Sequence, residues 1–99
     1  MTSKIIFMGT PEFSIPALQS LNLKHKIKSV YTQPPKKKSR GQKIIKSPIH
    51  IEAEKLKIPV RFPKNFNNDS DYEFIKSTDV NFVIVVAYGQ IIPEKFLNI

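Results

Sequence analysis

The sequence predicts an open parallel α/β sheet of about four strands with helices packed on its faces. Three observations predict it. The runs Ile5-Ile-Phe-Met8 and Asn81-Phe-Val-Ile-Val-Val-Ala87 are apolar without polar alternation, the pattern of strands covered on both faces. Segments with helical spacing lie between the strand-like segments, so strand and helix alternate along the chain. Prolines at 34, 35, 59 and 63 punctuate the boundaries. Such alternation builds right-handed βαβ units, here half of a doubly wound sheet with strand order 3-2-1-4.

Each element follows from its residues. The first strand covers residues 5–8 and is closed by Gly9, which serves a tight turn through Gly9-Thr-Pro-Glu-Phe13. Pro16 is tolerated only in a first helical turn, so the first helix starts near Ser14, a capping residue type, and runs to about Leu21. Ile15, Leu18 and Leu21 then share one face. Residues 26–32 alternate, with Ile27 and Val30 apolar, and form the second strand, stopped by Pro34 and Pro35. Ser47 caps the next helix with Pro48 at its first position, and Ile49, Ala53 and Leu56 form its apolar face before Pro59. Residues 60–62 make a short third strand. A turn-rich stretch from 65 leads into a helix over 70–76, and residues 81–87 form the fourth strand.

Charge is distributed unevenly over this framework. No Asp or Glu occurs between Phe13 and Ile51, a window holding nine of the sixteen Lys and Arg residues. Six of the nine fall within residues 32–48. Seven basic and eight acidic residues lie outside the window, so the whole net charge of +8 arises inside it. A charge excess this local suits a large anionic partner, with nucleic acid first, because neutralising phosphates releases counterions. The alternative is a solvated, lysine-rich loop. Strand order favours a contact surface. It sets a topological switch point between the first and fourth strands, where Gly9-Thr10-Pro11 meets Ala87-Tyr88-Gly89-Gln90. The basic loop leaves the carboxyl end of the second strand and shares that rim.

Other classes are disfavoured. There is no cysteine, and His25 and His50 lie far apart with no ligand spacing, so no metal site is expected. Gly9 is followed by no second or third glycine, so the dinucleotide fingerprint is missing, as is a Walker loop. The amino-terminal apolar run is too short for a signal peptide or a membrane span, which makes the cytoplasm the default location. Glu12 and Glu94 read as charges near helix starts, with no nucleophile or base beside them. His50 reads as an exposed helix residue. Tyr88 either lines the crevice or covers the end of the sheet. The fourth strand is apolar enough to be central yet has a neighbour on one side only, so the sheet is expected to continue and the chain to be the front part of a longer protein.

Three segments together resemble the methionyl-tRNA formyltransferases. Ile5-Ile-Phe-Met-Gly-Thr-Pro-Glu-Phe13 is similar to their opening strand and turn. Val30-Tyr-Thr-Gln-Pro34, continued by Ser39-Arg-Gly-Gln-Lys43 and Ser47-Pro48, is similar to their RNA-contacting loop. Val85-Val-Ala-Tyr-Gly-Gln-Ile-Ile-Pro93 is similar to the strand and turn bordering their folate site. The likeness covers essentially all 99 residues in order.

The resemblance implies a Rossmann-like formyltransferase fold, with residues 1–99 as the amino-terminal portion of its catalytic domain. It implies transfer of a formyl group from 10-formyltetrahydrofolate to the amino group of methionyl-initiator tRNA, by a monomeric cytoplasmic enzyme without metal. It makes Arg40 the residue that wedges into the end of the acceptor stem, with Lys36, Lys37, Lys38, Lys43 and Lys46 contacting or guiding phosphates. Initiator tRNA has a weak first pair there, so a basic wedge can select by deformability. Gly9, Thr10, Pro11, Tyr88, Gly89, Gln90 and Ile91 become the rim of the folate pocket.

Two departures stand out. The first half of the loop is Pro35-Lys-Lys-Lys-Ser39, where the family often has an acidic residue, a further Arg and a Gly. A stiffer hinge and more general phosphate attraction are expected in consequence. The family's catalytic Asn, His and Asp and its carboxyl-terminal tRNA-binding domain fall beyond Ile99, so residues 1–99 alone are expected to be inactive. The rival readings are a sister formyltransferase acting on a sugar nucleotide or purine precursor, and a non-catalytic RNA-binding fragment. The sister enzymes generally lack Gly-Thr-Pro-Glu-Phe and the basic loop. Against a single-strand binder, the loop lacks stacking aromatics apart from Tyr31 at its base.

Overall fold

A computed structural model describes residues 3–37, 44–66, 70–90 and 92 of the 99. Its elements, in order, are β1 (Lys4–Gly9), a 3-10 turn (Glu12–Ser14), α1 (Ile15–Lys24), β2 (Lys26–Tyr31), β3 (Lys36–Lys37), β4 (Ile44–Ile45), α2 (Pro48–Lys55), β5 (Val60–Arg61), α3 (Ser70–Ser77) and β6 (Phe82–Val86). The main sheet has the order β5-β2-β1-β6, with every neighbouring pair parallel. This is the 3-2-1-4 order that the alternation of elements predicts.

The two-residue period of β1 divides the core between the faces. Ile5 and Phe7 pack with Leu18, Ile27, Val30, Ile49, Ala53 and Ile58, under α1 and α2. Ile6 and Met8 pack with Tyr31, Phe66, Ile75 and Tyr88, under α3 and the segments flanking it. All four side chains of residues 5–8 are at most 1% exposed. Burying each contributes about 1.5–3 kcal/mol, so β1 is the spine of the fold.

β6 is apolar on both faces but is not central among the described strands. Among the described residues it pairs with β1 alone, and Phe82, Val83 and Val85 are exposed. Gly9 also has a different reason from the expected one. Its backbone is paired against Val86, and a Cβ there would fall 2.8 Å from the Phe7 ring and 2.9 Å from the Val86 carbonyl. Glycine is needed for close strand packing rather than for a left-handed turn.

Three local readings are revised. Ser14 precedes α1 but has helical φ and ψ and makes no cap hydrogen bond; its Oγ instead donates to the Val86 carbonyl at 3.0 Å. That bond ties the start of α1 to the end of β6. The helix also runs three residues past Leu21, to Lys24. The flanks of the basic loop are not plain coil: β3 and β4 pair antiparallel, Lys36 with Ile45 and Lys37 with Ile44. Ser47 does cap α2 as expected, its Oγ accepting from the His50 N–H at 3.0 Å with Pro48 in the first turn.

Candidate ligand crevice and basic ribbon

The carboxyl ends of β1 and β6 meet at the switch point, and side chains lace the two together. The Thr10 hydroxyl donates to the Tyr88 carbonyl at 2.7 Å and accepts from the Gln33 N–H at 3.3 Å. The Gln33 amide nitrogen donates to the Gly89 carbonyl at 2.8 Å. Gln90 Nε2 donates to Gln33 Oε1 at 3.1 Å and to the Pro63 carbonyl at 2.8 Å. Gly89 has φ +92°, a left-handed conformation suited to glycine. The rim therefore joins the ends of β1, β2 and β6 and the segment after β5.

The ribbon of β3 and β4 rises from this rim. Gln33 and Pro34 lead into Lys36, and Thr32 Oγ1 lies 2.6 Å from Ser47 Oγ, closing the base of the loop. A cleft of about 320 Å³ lies between rim and ribbon, lined by Thr10, Gln33, Pro34, Lys36, Ile45 and Lys46 among others. A larger groove, about 540 Å³, runs between α3 and the exposed side of β6, lined by Ile75, Val80, Phe82 and Val85 among others. It follows a strand face instead of the strand ends, and its Asp79 is already paired with Lys4 at 2.9 Å.

Of the basic residues singled out in the sequence, Lys36 is exposed beside the cleft, and Lys37 is placed in β3 by its backbone. Lys46 Nζ bonds both carboxylate oxygens of Glu54, at 3.0 and 2.9 Å. That hydrogen bond, followed by the opposite charge, holds the Glu54 carboxyl below its usual range. Lys38, Arg40 and Lys43 lie outside the described residues, as does Ile91 of the rim. Among the other rim residues, Gly9, Thr10, Pro11, Gly89 and Gln90 stand around the switch point. Tyr88 covers the end of the sheet: it is 2% exposed and sits edge-on to Phe66 at 5.9 Å. Burial pushes its phenol well above the ordinary value, and its hydroxyl has no hydrogen-bond partner among the described residues. Among the described residues, no group of His, Cys, Asp or Glu could hold a metal ion, and no helix is long and apolar enough to cross a membrane.

Two polar features escaped sequence reasoning. Tyr31, fully buried under the root of the loop, donates its hydroxyl to Asp71 Oδ1 at 2.8 Å. Arg61 Nε donates to the same oxygen at 3.1 Å, with its guanidinium carbon 4.0 Å from the centre of the Phe74 ring. Burial foremost, and then Asp71, raise the Tyr31 pKa, so the phenol stays a donor at every ordinary pH. This cluster pins β2, β5 and α3 to one another below the crevice. No local pattern announces it, because Asp71 reads as a charge in the first turn of a helix.

The second feature is His50, which is not the exposed residue its position suggested. It is 5% exposed, stacks on Phe62 with ring centres 5.2 Å apart, and has a buried Nδ1 without a hydrogen-bond partner among the described residues. Its Nε2 lies 4.0 Å from Glu54 Oε2. Burial lowers its pKa, more than Glu54 raises it; nearby Lys46 lowers it further. The unfolded chain thus binds this proton more readily than the folded one. His50 contributes stability above the ordinary value of 6.5 and loses it as pH falls through the lower folded value. We expect the thermal midpoint to drop between about pH 7 and about pH 5, and His50→Leu to flatten that slope. A slope unchanged by the substitution would assign the acid sensitivity elsewhere.

Parallel strands in this order, with the ends of β1 and β6 meeting at the switch point and a lysine-bearing ribbon and its cleft beside them, define the class. It is an open α/β sheet domain of the doubly wound kind. The chain is 56% identical to the methionyl-tRNA formyltransferase of Pelagibacter ubique (strain HTCC1062) over 101 aligned residues, covering all of this chain and 33% of that protein. It is 47% identical to the enzyme of the same name from Rickettsia prowazekii (strain Madrid E) over 95 residues, or 96% of this chain and 31% of the relative. For Rickettsia bellii (strain RML369-C) the identity is 48% over 96 residues, 96% of this chain and 32% of the relative. No protein-family model matches the chain. Over its whole length the chain is similar to the amino-terminal part of proteins named methionyl-tRNA formyltransferase. It spans about a third of the length of these curated relatives, their amino-terminal third.

Proposed function

We propose that residues 1–99 form the amino-terminal portion of the catalytic domain of a methionyl-tRNA formyltransferase. The catalytic segment and the tRNA-gripping domain are supplied by sequence after Ile99. The enzyme transfers a formyl group from 10-formyltetrahydrofolate to the amino group of methionyl-initiator tRNA, at the start of translation in the cytoplasm. The observation that carries this reading is the likeness along the whole chain.

In this reading the two functions of the rim divide between its two sides. The ribbon takes the RNA: Lys36, Lys37, Lys38 and Lys43 attract phosphates, and Arg40 enters the acceptor end. Lys46 contributes less, because Glu54 already neutralises it. The crevice takes the folate donor. Its pterin ring hydrogen-bonds through an amide-like edge, which suits main-chain groups such as those of residues 9–11 and 89–90, and the residues present fit it. Thr10 and Gln90 hold that backbone in place through their side chains, and Tyr88 closes the floor. When bound, the donor supplies the formyl carbon that the methionine amine attacks.

The test is formyl transfer by the full-length protein carrying this segment. Turnover is expected with methionyl-initiator tRNA and 10-formyltetrahydrofolate, and none with residues 1–99 alone. Transfer to a sugar nucleotide or a purine precursor in place of tRNA would overturn the substrate. Tight RNA binding with no turnover would favour a non-catalytic RNA-binding role.

A further inference from the structure

Gln33 touches more parts of the rim than any catalytic or RNA-binding assignment asks of it. Its backbone N–H donates to Thr10 Oγ1 at 3.3 Å, just after β1. Its amide is used at both ends, Nε2 donating to the Gly89 carbonyl at 2.8 Å and Oε1 accepting from Gln90 Nε2 at 3.1 Å. Gln90 is anchored in turn on the Pro63 carbonyl at 2.8 Å. Gly89 is fitted around this side chain: a Cβ on it would fall 2.8 Å from Gln33 Nε2. Only one orientation of the amide satisfies both partners, since a carbonyl needs a donor and an amino group needs an acceptor.

Gln33 is also the first residue of the segment that becomes the ribbon. Pro34 and Pro35 follow it, each with a fixed φ, and Lys36 begins β3. The link between the Gln33 amide and the first ribbon lysine is therefore short and stiff. We propose that Gln33 is a positioning residue. Its two-ended amide sets the backbone of residues 88–90, just after β6, in register with the root of the basic ribbon and the cleft that Gln33 lines. Only the identity of the crevice ligand, the formyl donor, rests on the function proposed above.

Gln33→Glu separates this role from simple packing. The substitution keeps the shape and the acceptor for Gln90 but sets a negative oxygen against the Gly89 carbonyl. The experiment uses the full-length protein and reads amide hydrogen exchange without ligand. Exchange at the Gln33 backbone amide, whose N–H is held by the Thr10 hydroxyl that in turn grips the Tyr88 carbonyl, is expected to rise about tenfold, in keeping with one lost hydrogen bond, while the amides of β1 and β2 stay as they were. In formyl transfer the donor KM should rise about three- to tenfold with kcat within about twofold. Gln90→Leu should reproduce the KM effect, and the double variant Gln33→Glu, Gln90→Leu should add little to it.

Unchanged exchange at the Gln33 backbone amide overturns the positioning role, and so does faster exchange spread evenly over β1 and β2. A raised exchange rate with an unmoved donor KM overturns the link to the crevice. Absence of formyl transfer in the unsubstituted protein would defeat the functional reading alone, and the exchange measurement would still decide the role of Gln33.

Discussion

Replacing Arg40 by leucine in the full-length protein is expected to weaken formylation of initiator tRNA by roughly ten- to a hundredfold, with the donor KM within about twofold. The size follows from what a wedge does. It must hold open an acceptor end that would otherwise close, and a planar guanidinium can stack on a base while pairing with a phosphate. Leucine keeps bulk and loses both. The lysines should behave differently. Substituting Lys37 should reduce the slope of log affinity against log salt by about one, with little change in which tRNA is chosen. Lys46→Ala should move that slope less than Lys37→Ala, because Glu54 already binds the Lys46 ammonium through both oxygens. Equal loss of RNA and donor binding in Arg40→Leu would remove the wedge role. A salt slope that falls as far for Lys46 as for Lys37 would remove the distinction among the lysines.

The placement of that ribbon was legible because it depends on strand order, and strand order depends on patterns within short windows. Apolar runs, helix starts with proline in the first turn, and alternation of the two suffice to order the sheet. They set the carboxyl ends of β1 and β6 side by side and put the basic segment on the same rim. What was not legible depends on partners distant in sequence. Ser14 has the composition of a cap, yet the Val86 carbonyl, 72 residues on, takes its hydroxyl. His50 sits where a helix would face solvent, yet Phe62 covers its ring. Gln33 is an ordinary polar residue before two prolines until Gly89 and Gln90 are brought to it. The pairing of β3 with β4 was missed for a different reason: Lys36 and Lys37 carry no strand propensity, and their partners Ile44 and Ile45 are short of a full strand.

The same dependence on distant partners governs stability below the crevice. Asp71→Ala is expected to destabilise the fold by about 2–3 kcal/mol. Breaking a fully buried ion pair costs about 3–5 kcal/mol, and Arg61 is a third exposed, which lowers the penalty. Asp71 accepts from two donors at one oxygen, Tyr31 at 2.8 Å and Arg61 at 3.1 Å. Without the carboxylate, a fully buried phenol loses its acceptor, and the guanidinium is left stacked on Phe74 with its charge less compensated. Tyr31→Phe removes one of the two donors and should cost less, about 1 kcal/mol, because no orphan is left in the core. The two substitutions should be non-additive, since once Asp71 is gone the Tyr31 hydroxyl is itself the unsatisfied group and its removal becomes favourable. Denaturant unfolding of the single and double variants measures this directly. A double variant as unstable as the sum of the singles would show that the phenol and the carboxylate act independently. β2, whose last residue is Tyr31, would then owe its hold on α3 to the packing of Tyr31 with Phe66 and Phe74 and not to the hydrogen bond.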